Sequence, residues 1–150
     1  MCGRYSLAPD QSKEIAQIVA EVQARFGAAS IHTGEIFPTN ATPVLLPDGQ
    51  KMTPKPMTWG FPSFKGKGVI INARGETALD KPMFRRSVLE RRCIVPTTGF
   101  YEWDSQKKEI PFSAAGAGPA LSGRIMEYFP GGGAVRGLNH RPQRYHHQCP

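Results

Sequence analysis

The chain has little cysteine and no long apolar run. Its three cysteines among 150 residues stand at scattered positions, Cys2, Cys93 and Cys149, which fit neither a disulfide framework nor a zinc-binding pattern. We therefore expect a reduced, intracellular compartment. No apolar run is long enough to span a membrane, and only Met1 precedes Cys2, so we expect no membrane anchor, secretion signal or lipid-modified cysteine.

Acidic residues are also scarce relative to basic ones. The chain has 12 Asp and Glu against 19 Lys and Arg, a formal net charge of +7, which permits nucleic-acid binding without proving it. Hydrophobic residues make up only 39%, whereas Gly and Pro are frequent at 16 and 14. The length fits one domain with a modest core.

Cys2 follows the initiator directly, and this position gives it unusual chemistry. If Met1 is removed, the chain begins with a free α-amine and a thiol two carbons apart. The amine can condense with an aldehyde, and the thiol can then close a five-membered thiazolidine. Both groups titrate close enough to neutral pH for a useful fraction of each to be nucleophilic. The alternative is an idle residue on a frayed terminus.

Hydrophobic periodicity predicts two helices. The first begins at Pro9 and Asp10, with Asp10 as its N-cap, and ends at Gly27. Its apolar stripe is expected in the core and consists of Ile15, Ile18, Val19, Val22 and Phe26. The second helix spans Lys81–Arg92, and its arginines are typical of a solvated face. Its apolar face consists of Met83, Phe84, Val88 and Leu89.

Short strands fill much of the remaining chain as far as residue 113. Residues 37–43 read as a loop, and a hairpin is predicted across Pro47–Gln50. Pro54 and Pro56 confine its second arm to a sheet edge or to coil. Other predicted strands are Cys2–Leu7, Met57–Gly60, a buried Val69–Ile71, Cys93–Val95 with an inert Cys93, Phe100–Trp103, and Ile110–Phe112 after a polar hairpin tip.

Two aromatic stretches are candidates for function. Residues 61–68 combine Phe61 and Phe64 with two lysines, which suits stacking on single-stranded bases and binding to phosphates. The alternative is a loop whose aromatic rings pack into the core. In Phe100–Trp103, aromatic residues flank the carboxylate of Glu102. Such surroundings can raise the pKa of a carboxylate and so suit it to general acid–base catalysis.

From residue 114 the regular pattern is lost. The stretch 114–150 is rich in glycine and shows neither strand alternation nor a capped helix, so we expect an irregular tail. His146, His147 and Cys149 form a short tract without a second ligand pair, which is weak evidence for a metal. We therefore assign no metal site and no cofactor.

Five segments of the chain form a recognisable set: Met1–Tyr5, Pro38–Pro43, Trp59–Phe61, Ile71–Thr77 and Pro96–Trp103. Together, and in this order, they resemble the SOS response-associated peptidase (SRAP) family of abasic-site processing proteins. The resemblance covers roughly residues 1–113, which we take as the SRAP-like domain, with 114–150 as an atypical tail.

The resemblance implies a fold, an activity and a set of site residues. It implies an α+β domain around a curved, largely antiparallel, barrel-like sheet with flanking helices. Members lose Met1 by self-cleavage and then form a thiazolidine crosslink between Cys2 and abasic sites in single-stranded DNA. By resemblance, the catalytic residues are Cys2, Asn72 and Glu102. The residues implied in DNA binding are Arg4, Asn40, Pro43, Trp59, Phe61, Arg74 and Trp103.

The same resemblance implies a monomer that acts on single-stranded DNA with abasic sites, in the cytoplasm or on the nucleoid if the source is bacterial. The residue types fit this chemistry, since an abasic aldehyde needs an amine, a neighbouring thiol and a proton carrier. In a strand, Arg4 would lie on the same face as Cys2. There it could hold a phosphate beside the reacting sugar.

The chain departs from the family pattern after residue 113. The active-site His that the family carries in a His-Asp-Arg-Met-Pro setting is missing, and Asn139–Pro142 is only a faint match. We hypothesise that the reading frame shifts near residues 114–120, which an intact frame through the natural locus would contradict. Two other functions stay open: a non-covalent single-stranded nucleic-acid binding module, and an N-terminal-nucleophile hydrolase.

Overall fold

The computed structural model describes residues 3–63, 66–106, 108–113, 120–125, 134–135 and 138–139. It gives the backbone but not the side chain of Glu102 and of residues from Glu109 onward. Its helices are α1 Lys13–Phe26, α2 Gly75–Ala78 and α3 Pro82–Glu90, with 3-10 turns at Pro9–Gln11 and Ala28–Ser30. Its strands are β1 Tyr5–Leu7, β2 Gly34–Ile36, β3 Ala41–Asp48, β4 Lys51–Trp59, β5 Phe61–Pro62, β6 Val69–Ile70, β7 Arg92–Thr97, β8 Gly99–Trp103, β9 Glu109–Ser113, β10 Ala120–Ile125, β11 Ala134–Val135 and β12 Leu138–Asn139.

The described strands form two main sheets and a small hairpin. The first sheet has the order β2-β1-β8-β9 and is antiparallel throughout. The second has the order β11-β4-β3-β7-β10-β12, in which only the β11–β4 pair is parallel. The hairpin pairs β5 with β6. With its helices, this largely antiparallel arrangement confirms the predicted α+β class. No helix among the described residues is both long and apolar enough to cross a membrane.

Helix α1 forms as its periodicity predicts but begins later. Pro9–Gln11 makes a separate 3-10 turn, so the predicted N-cap Asp10 is wrong; Ser12 caps α1, its hydroxyl accepting from the Ile15 amide at 3.3 Å. The backbone and the Ser12 hydroxyl both hydrogen-bond Glu14 and lower the pKa of its carboxyl. Gly27 ends the helix at φ 98° as predicted. Ile15, Val19 and Val22 are buried, whereas Phe26 is largely exposed.

The predicted hairpin is present, and its arms are longer than expected. β3 begins at Ala41, so the loop predicted over 37–43 ends at Asn40. β4 accommodates Pro54 and Pro56 because, over Lys51–Met57, the described pairing partners of β4 belong to β3 alone. The prediction of an edge strand is therefore confirmed for that stretch, since an edge position tolerates a missing amide hydrogen.

The segment after the hairpin differs from its predicted form. Phe61 is fully buried, and β5 and β6 pair over two residues each. The strand predicted over 69–71 forms at Val69–Ile70, but the prediction that it is buried is wrong, since Val69 is exposed. Gly60 has φ +124°, and a Cβ there would come within 2.8 Å of the Val69 Cβ. Only glycine fits such a bend. The bend sends Trp59 and Phe61 into different core clusters.

The second predicted helix is shorter than expected, and Cys93 lies where expected. α3 ends at Glu90, and Arg92 already belongs to β7. Phe84 and Val88 face the core, whereas Leu89 is exposed. Cys93 is buried in β7, where an inert core cysteine is expected.

A strand also forms inside the stretch predicted as an irregular tail. Residues 120–125 form β10, which pairs with β7 over its whole length, from Ala120 opposite Thr97 to Ile125 opposite Arg92. Residues 134–135 and 138–139 add the short β11 and β12. The prediction of an irregular tail is therefore wrong at these residues. His146, His147 and Cys149 lie outside the described residues.

The larger core cluster joins the two main sheets through Tyr5. The cluster contains Tyr5 and Leu7 of β1, the buried face of α1, Val44 of β3 and Trp59 of β4. The Tyr5 hydroxyl donates to the Thr42 hydroxyl at 2.7 Å, and both residues are buried. The Tyr5 ring packs against Trp59 with centroids 5.6 Å apart. β1 is thereby fixed to the second sheet by a side chain as well as to the first by its backbone.

We expect Tyr5→Phe to lower the free energy of unfolding by about 1–3 kcal/mol, because the buried Thr42 hydroxyl would lose its partner. Urea denaturation measures this. Tyr101→Phe is a matched control in the same sheet, since that hydroxyl donates to an exposed carboxylate; it should cost well below 1 kcal/mol. Equal losses in both variants would contradict the role given to Tyr5.

Candidate functional site

The register of β1 brings the start of the chain alongside β8. Tyr5 pairs with Ile36 of β2 on one side and with Phe100 of β8 on the other. When the antiparallel β1–β8 register is continued by two residues, Gly3 comes opposite Glu102. The observed pairs end at Tyr5 opposite Phe100, so the position of Glu102 beside Gly3 is an extension of that register. Cys2 and the Glu102 side chain lie outside the described residues.

Arg4 contacts two residues that the sequence did not single out for binding. Its Nη1 is 3.4 Å from the Glu35 Oε2, and its guanidinium lies over the Tyr101 ring at 4.3 Å from the centroid. The Tyr101 hydroxyl donates to the Glu35 Oε1 at 3.1 Å. Glu35 lies in β2, 31 residues from Arg4. Only the strand pairing brings the two together, so no local motif signals the contact.

The segment Phe37–Asn40 links β2 to β3 in a tight turn. The backbone N–H of Asn40 donates to the Phe37 carbonyl at 3.0 Å, and the side-chain Oδ1 of Asn40 accepts from the backbone N–H of Phe37 at 2.9 Å. Two backbone hydrogen bonds to Trp59 hold the turn against β4. The Thr39 N–H donates to the Trp59 carbonyl at 2.8 Å, and the Trp59 N–H donates to the Asn40 carbonyl at 3.0 Å. Asn40 therefore shapes this turn through its own side chain.

Thr39 in this turn has φ 75°, the one positive φ among the described residues other than glycine. A β-branched residue rarely adopts this conformation, which costs free energy. The bonds between Trp59 and the residues of the turn hold the backbone there. Strain of this kind concentrates at functional sites, and this turn lies in a segment implied in DNA binding.

Three of the residues implied in DNA binding are buried. Pro43 and Phe61 are fully buried, and Trp59 is 2% exposed. Pro43 lies in β3, Trp59 packs on Tyr5, and Phe61 packs edge-on against Phe84 of α3 at 5.1 Å. Their rings cannot stack on a base in this structure. Any contribution that they make to a groove is through the backbone and neighbours that they position.

The loop after β6 carries Asn72 and Arg74. Ile71 packs against the larger core cluster and Ala73 against the smaller one, so Asn72 lies where the two clusters meet. Asn72 is partly buried, whereas Arg74 is exposed at the N-cap of α2. Trp103, at the end of β8, has 53% of its surface exposed. Arg74 and Trp103 are thus accessible to a large ligand.

The described part of the chain holds no group of three or more His, Cys, Asp or Glu side chains that could bind a metal ion. The accessible candidates are instead cationic, aromatic or amide groups: Arg4, Asn40, Arg74 and Trp103. Cations bind phosphate oxygens and exposed rings stack on bases. These surroundings therefore suit a polyanion with accessible bases.

The chain is similar to one protein family and to several of its curated members. Residues 1–123 match the family model described as SOS response associated peptidase (SRAP). Over 119 residues the chain is 30% identical to abasic site processing protein YoqW of Bacillus subtilis, and 31% identical to YoaM of the same organism. Each alignment covers 74% of this chain and 52% of the relative.

Abasic site processing protein YedK of Escherichia coli is 26% identical over 116 residues, which cover 75% of this chain and 52% of YedK. The chain thus spans about half the length of the curated relatives it matches. The family match also extends beyond residue 113, where we expected the resemblance to end.

Solved structures share the fold. A protein from Bacteroides thetaiotaomicron has a TM-score of 0.61 at 18% identity, covering 91% of this chain and 66% of its own. A phage-related protein from Bordetella bronchiseptica has a TM-score of 0.58 at 20% identity, covering 91% of this chain and 68% of its own. At such identities the likeness concerns the fold alone.

We expect Thr39→Asn to raise the free energy of unfolding by about 0.5–1 kcal/mol, because asparagine adopts a positive φ more readily than threonine. The urea midpoint measures this. Thr58→Asn, in the extended β4, is the matched control and should lower the midpoint, because asparagine is disfavoured in strands. A fall of similar size in both variants would show that Thr39 is unstrained.

Proposed function

Because this chain belongs to the SOS response associated peptidase (SRAP) family, we propose that it processes abasic sites in DNA through its N-terminal Cys2. Relatives that bear the name abasic site processing protein support the substrate. The observation that supports the proposal most is the β1–β8 register: Tyr5 pairs with Phe100, and two residues further along this register Gly3 falls opposite Glu102.

The proposed reaction has two stages. Hydrolysis of the Met1–Cys2 peptide bond consumes one water and frees the Cys2 α-amine. That amine attacks the aldehyde of a ring-opened abasic sugar and loses one water to give an imine. The Cys2 sulfur then bonds to the imine carbon while the nitrogen takes a proton, which closes a thiazolidine. The crosslink therefore has the mass of protein plus DNA less one water.

Glu102 and Asn72 are proposed to assist this chemistry. A carboxylate beside the N-terminus can accept a proton from the attacking group and return it to the leaving group. Extension of the β1–β8 register by two residues supports this role, because it pairs Glu102 with Gly3. The neighbours of Asn72 in the chain, Ile71 and Ala73, pack on the two core clusters. The Asn72 amide can hold the terminal cysteine and the sugar by hydrogen bonds.

Single-stranded DNA is the proposed form of the substrate. Arg4 and Arg74 supply cations for phosphates, and the exposed Trp103 supplies a ring for base stacking. Asn40 and the buried Pro43, Trp59 and Phe61 are proposed to fix the walls of the groove. We propose that the protein acts as a monomer, in the cytoplasm or on the nucleoid of a bacterium.

A non-covalent single-stranded DNA-binding module is the second candidate. The formal charge of +7 and the exposed Trp103 favour it, because neither feature needs Cys2. In that case a Cys2 variant would bind DNA as the native protein does, and no adduct would form with either.

Intact mass of the purified protein tests the crosslink. We expect a starting mass without Met1 and, after mixing with single-stranded DNA bearing one abasic site, a shift equal to the DNA less one water. Cys2→Ala and Cys2→Ser both keep the α-amine but lack the thiol, so neither should give a thiazolidine, and each should give an adduct only after the imine is reduced with borohydride. An adduct that forms in both variants without borohydride would contradict the proposal, since the buried Cys93 is not available as the thiol.

Glu102→Gln tests the proton carrier in Met1 removal. If Glu102 drives self-cleavage, this variant should retain Met1, because an amide cannot take up the proton. Expression in a reconstituted translation system without methionine aminopeptidase, followed by mass measurement, detects the retained residue. Glu90→Gln, on the exposed end of α3, is the control and should lose Met1 normally. Normal loss in Glu102→Gln would remove Glu102 from this role.

A further inference from the structure

The side chains of Arg4, Glu35 and Tyr101 contact one another pairwise, and we call these three residues the Arg4 triad. Glu35 uses one carboxylate oxygen for the Arg4 guanidinium and the other for the Tyr101 hydroxyl, at 3.4 and 3.1 Å. The third side of the triad is the guanidinium over the Tyr101 ring, at 4.3 Å. Each member therefore contacts both of the others.

The strand pairing places the triad on the outer face of the first sheet. Its members come from β2, the segment before β1, and β8, which are neighbours in the sheet order. Tyr5 pairs with Ile36 on one side and Phe100 on the other. Each triad member is next in the chain to one of these three residues. Tyr5 and Ile36 are buried. Since neighbours in a strand point to opposite faces, the triad faces away from that core.

The triad differs from the other described ion pairs. Arg25–Glu21 and Arg86–Glu90 are pairs at helical i, i+4 spacing, which any helix brings together. Arg4 and Glu35 are 31 residues apart and on different strands. Both are partly exposed, with 29% and 47% of their side-chain surface accessible, and exposed pairs contribute little to stability. A contribution to folding stability therefore explains this contact poorly.

A carboxylate beside a DNA-binding arginine is costly on charge alone. It cancels a cation on a face offered to a polyanion and repels phosphate. The geometry gives a compensating gain. A free arginine loses many rotamers when it binds a ligand, and a guanidinium already held in one orientation loses fewer.

We propose that Glu35 is a positioning residue: it holds the Arg4 guanidinium over the Tyr101 ring, in the orientation that receives a DNA phosphate. The proposal rests on the proposed function, in which Arg4 binds the strand beside the reacting sugar. Glu35 itself touches neither substrate nor reacting atoms. Its effect is on the affinity for DNA, and the rate of the chemical step at saturating DNA is unchanged.

Fluorescence anisotropy with an unmodified single-stranded oligonucleotide tests this without any crosslinking. We expect Glu35→Ala to weaken binding about two- to tenfold at fixed salt, although it removes a negative charge. Glu35→Gln keeps an oxygen that can accept from Arg4, and its NH2 group can donate to the Tyr101 hydroxyl oxygen, so it should bind at least as tightly as the native protein. If Glu35 acted by charge alone, both variants would bind more tightly and equally, which would overturn the proposal.

Two controls isolate the positioning effect. Glu90→Ala makes the same charge change at an ion pair on α3 and should leave binding unchanged or slightly tighter. In an Arg4→Ala background, Glu35→Ala should no longer weaken binding, because nothing remains to be positioned. Weakening that persists in that background would overturn the proposal, as would native-like binding by Arg4→Ala alone. Circular dichroism and urea midpoints verify that each variant folds.

The crosslinking assay separates this proposal from the proposed function. With an abasic oligonucleotide, Glu35→Ala should raise the DNA concentration needed for half-maximal rate and leave the maximal rate unchanged. A lower maximal rate would place Glu35 in the chemistry and contradict a positioning role. If the native protein binds single strands with the expected variant pattern but forms no adduct, the crosslinking function fails while the positioning role stands.

Discussion

The buried contact between Tyr5 and Thr42 fixes the N-terminal segment, and the site depends on it. The Tyr5 backbone pairs with β2 and β8, and its hydroxyl and ring contact β3 and β4 of the other main sheet. Chain ends ordinarily fray, but here the fifth residue is 1% exposed between two sheets. The core therefore fixes the chain at Tyr5, three residues from Cys2 in the sequence.

The same core explains why several residues of the family motifs are not exposed. Trp59 and Phe61 are neighbours of Gly60, whose bend places their rings in separate clusters. The backbone of Trp59 meanwhile holds the turn at Thr39 and Asn40. Buried motif residues of this kind support the proposed site from the core. The groups left at the surface are those that can bind a nucleic acid by charge or stacking: Arg4, Arg74 and Trp103.

Local patterns in the sequence predicted the elements well, and long-range pairing accounts for most of what they missed. The hairpin, the apolar stripe of α1 and the buried Cys93 follow from periodicity and turn residues. β10 could not be predicted from such patterns, because its sequence shows no clear alternation. Pairing with β7 stabilises it instead. Glu35 was missed for the same reason: its contact with Arg4 spans 31 residues and exists only once β1 and β2 pair.

In the proposed function, attraction of DNA and placement of DNA are separate tasks. The net charge of +7 acts at a distance and treats every phosphate alike. A reaction at one sugar needs a particular phosphate held at a fixed place, since a displacement of about 1 Å can cost orders of magnitude in rate. A chain with a surplus of cations can give up one unit of attraction at Glu35 and still attract the strand. The Glu35 carboxylate weakens the overall positive field, and it is thus the group that can hold Arg4 in one position.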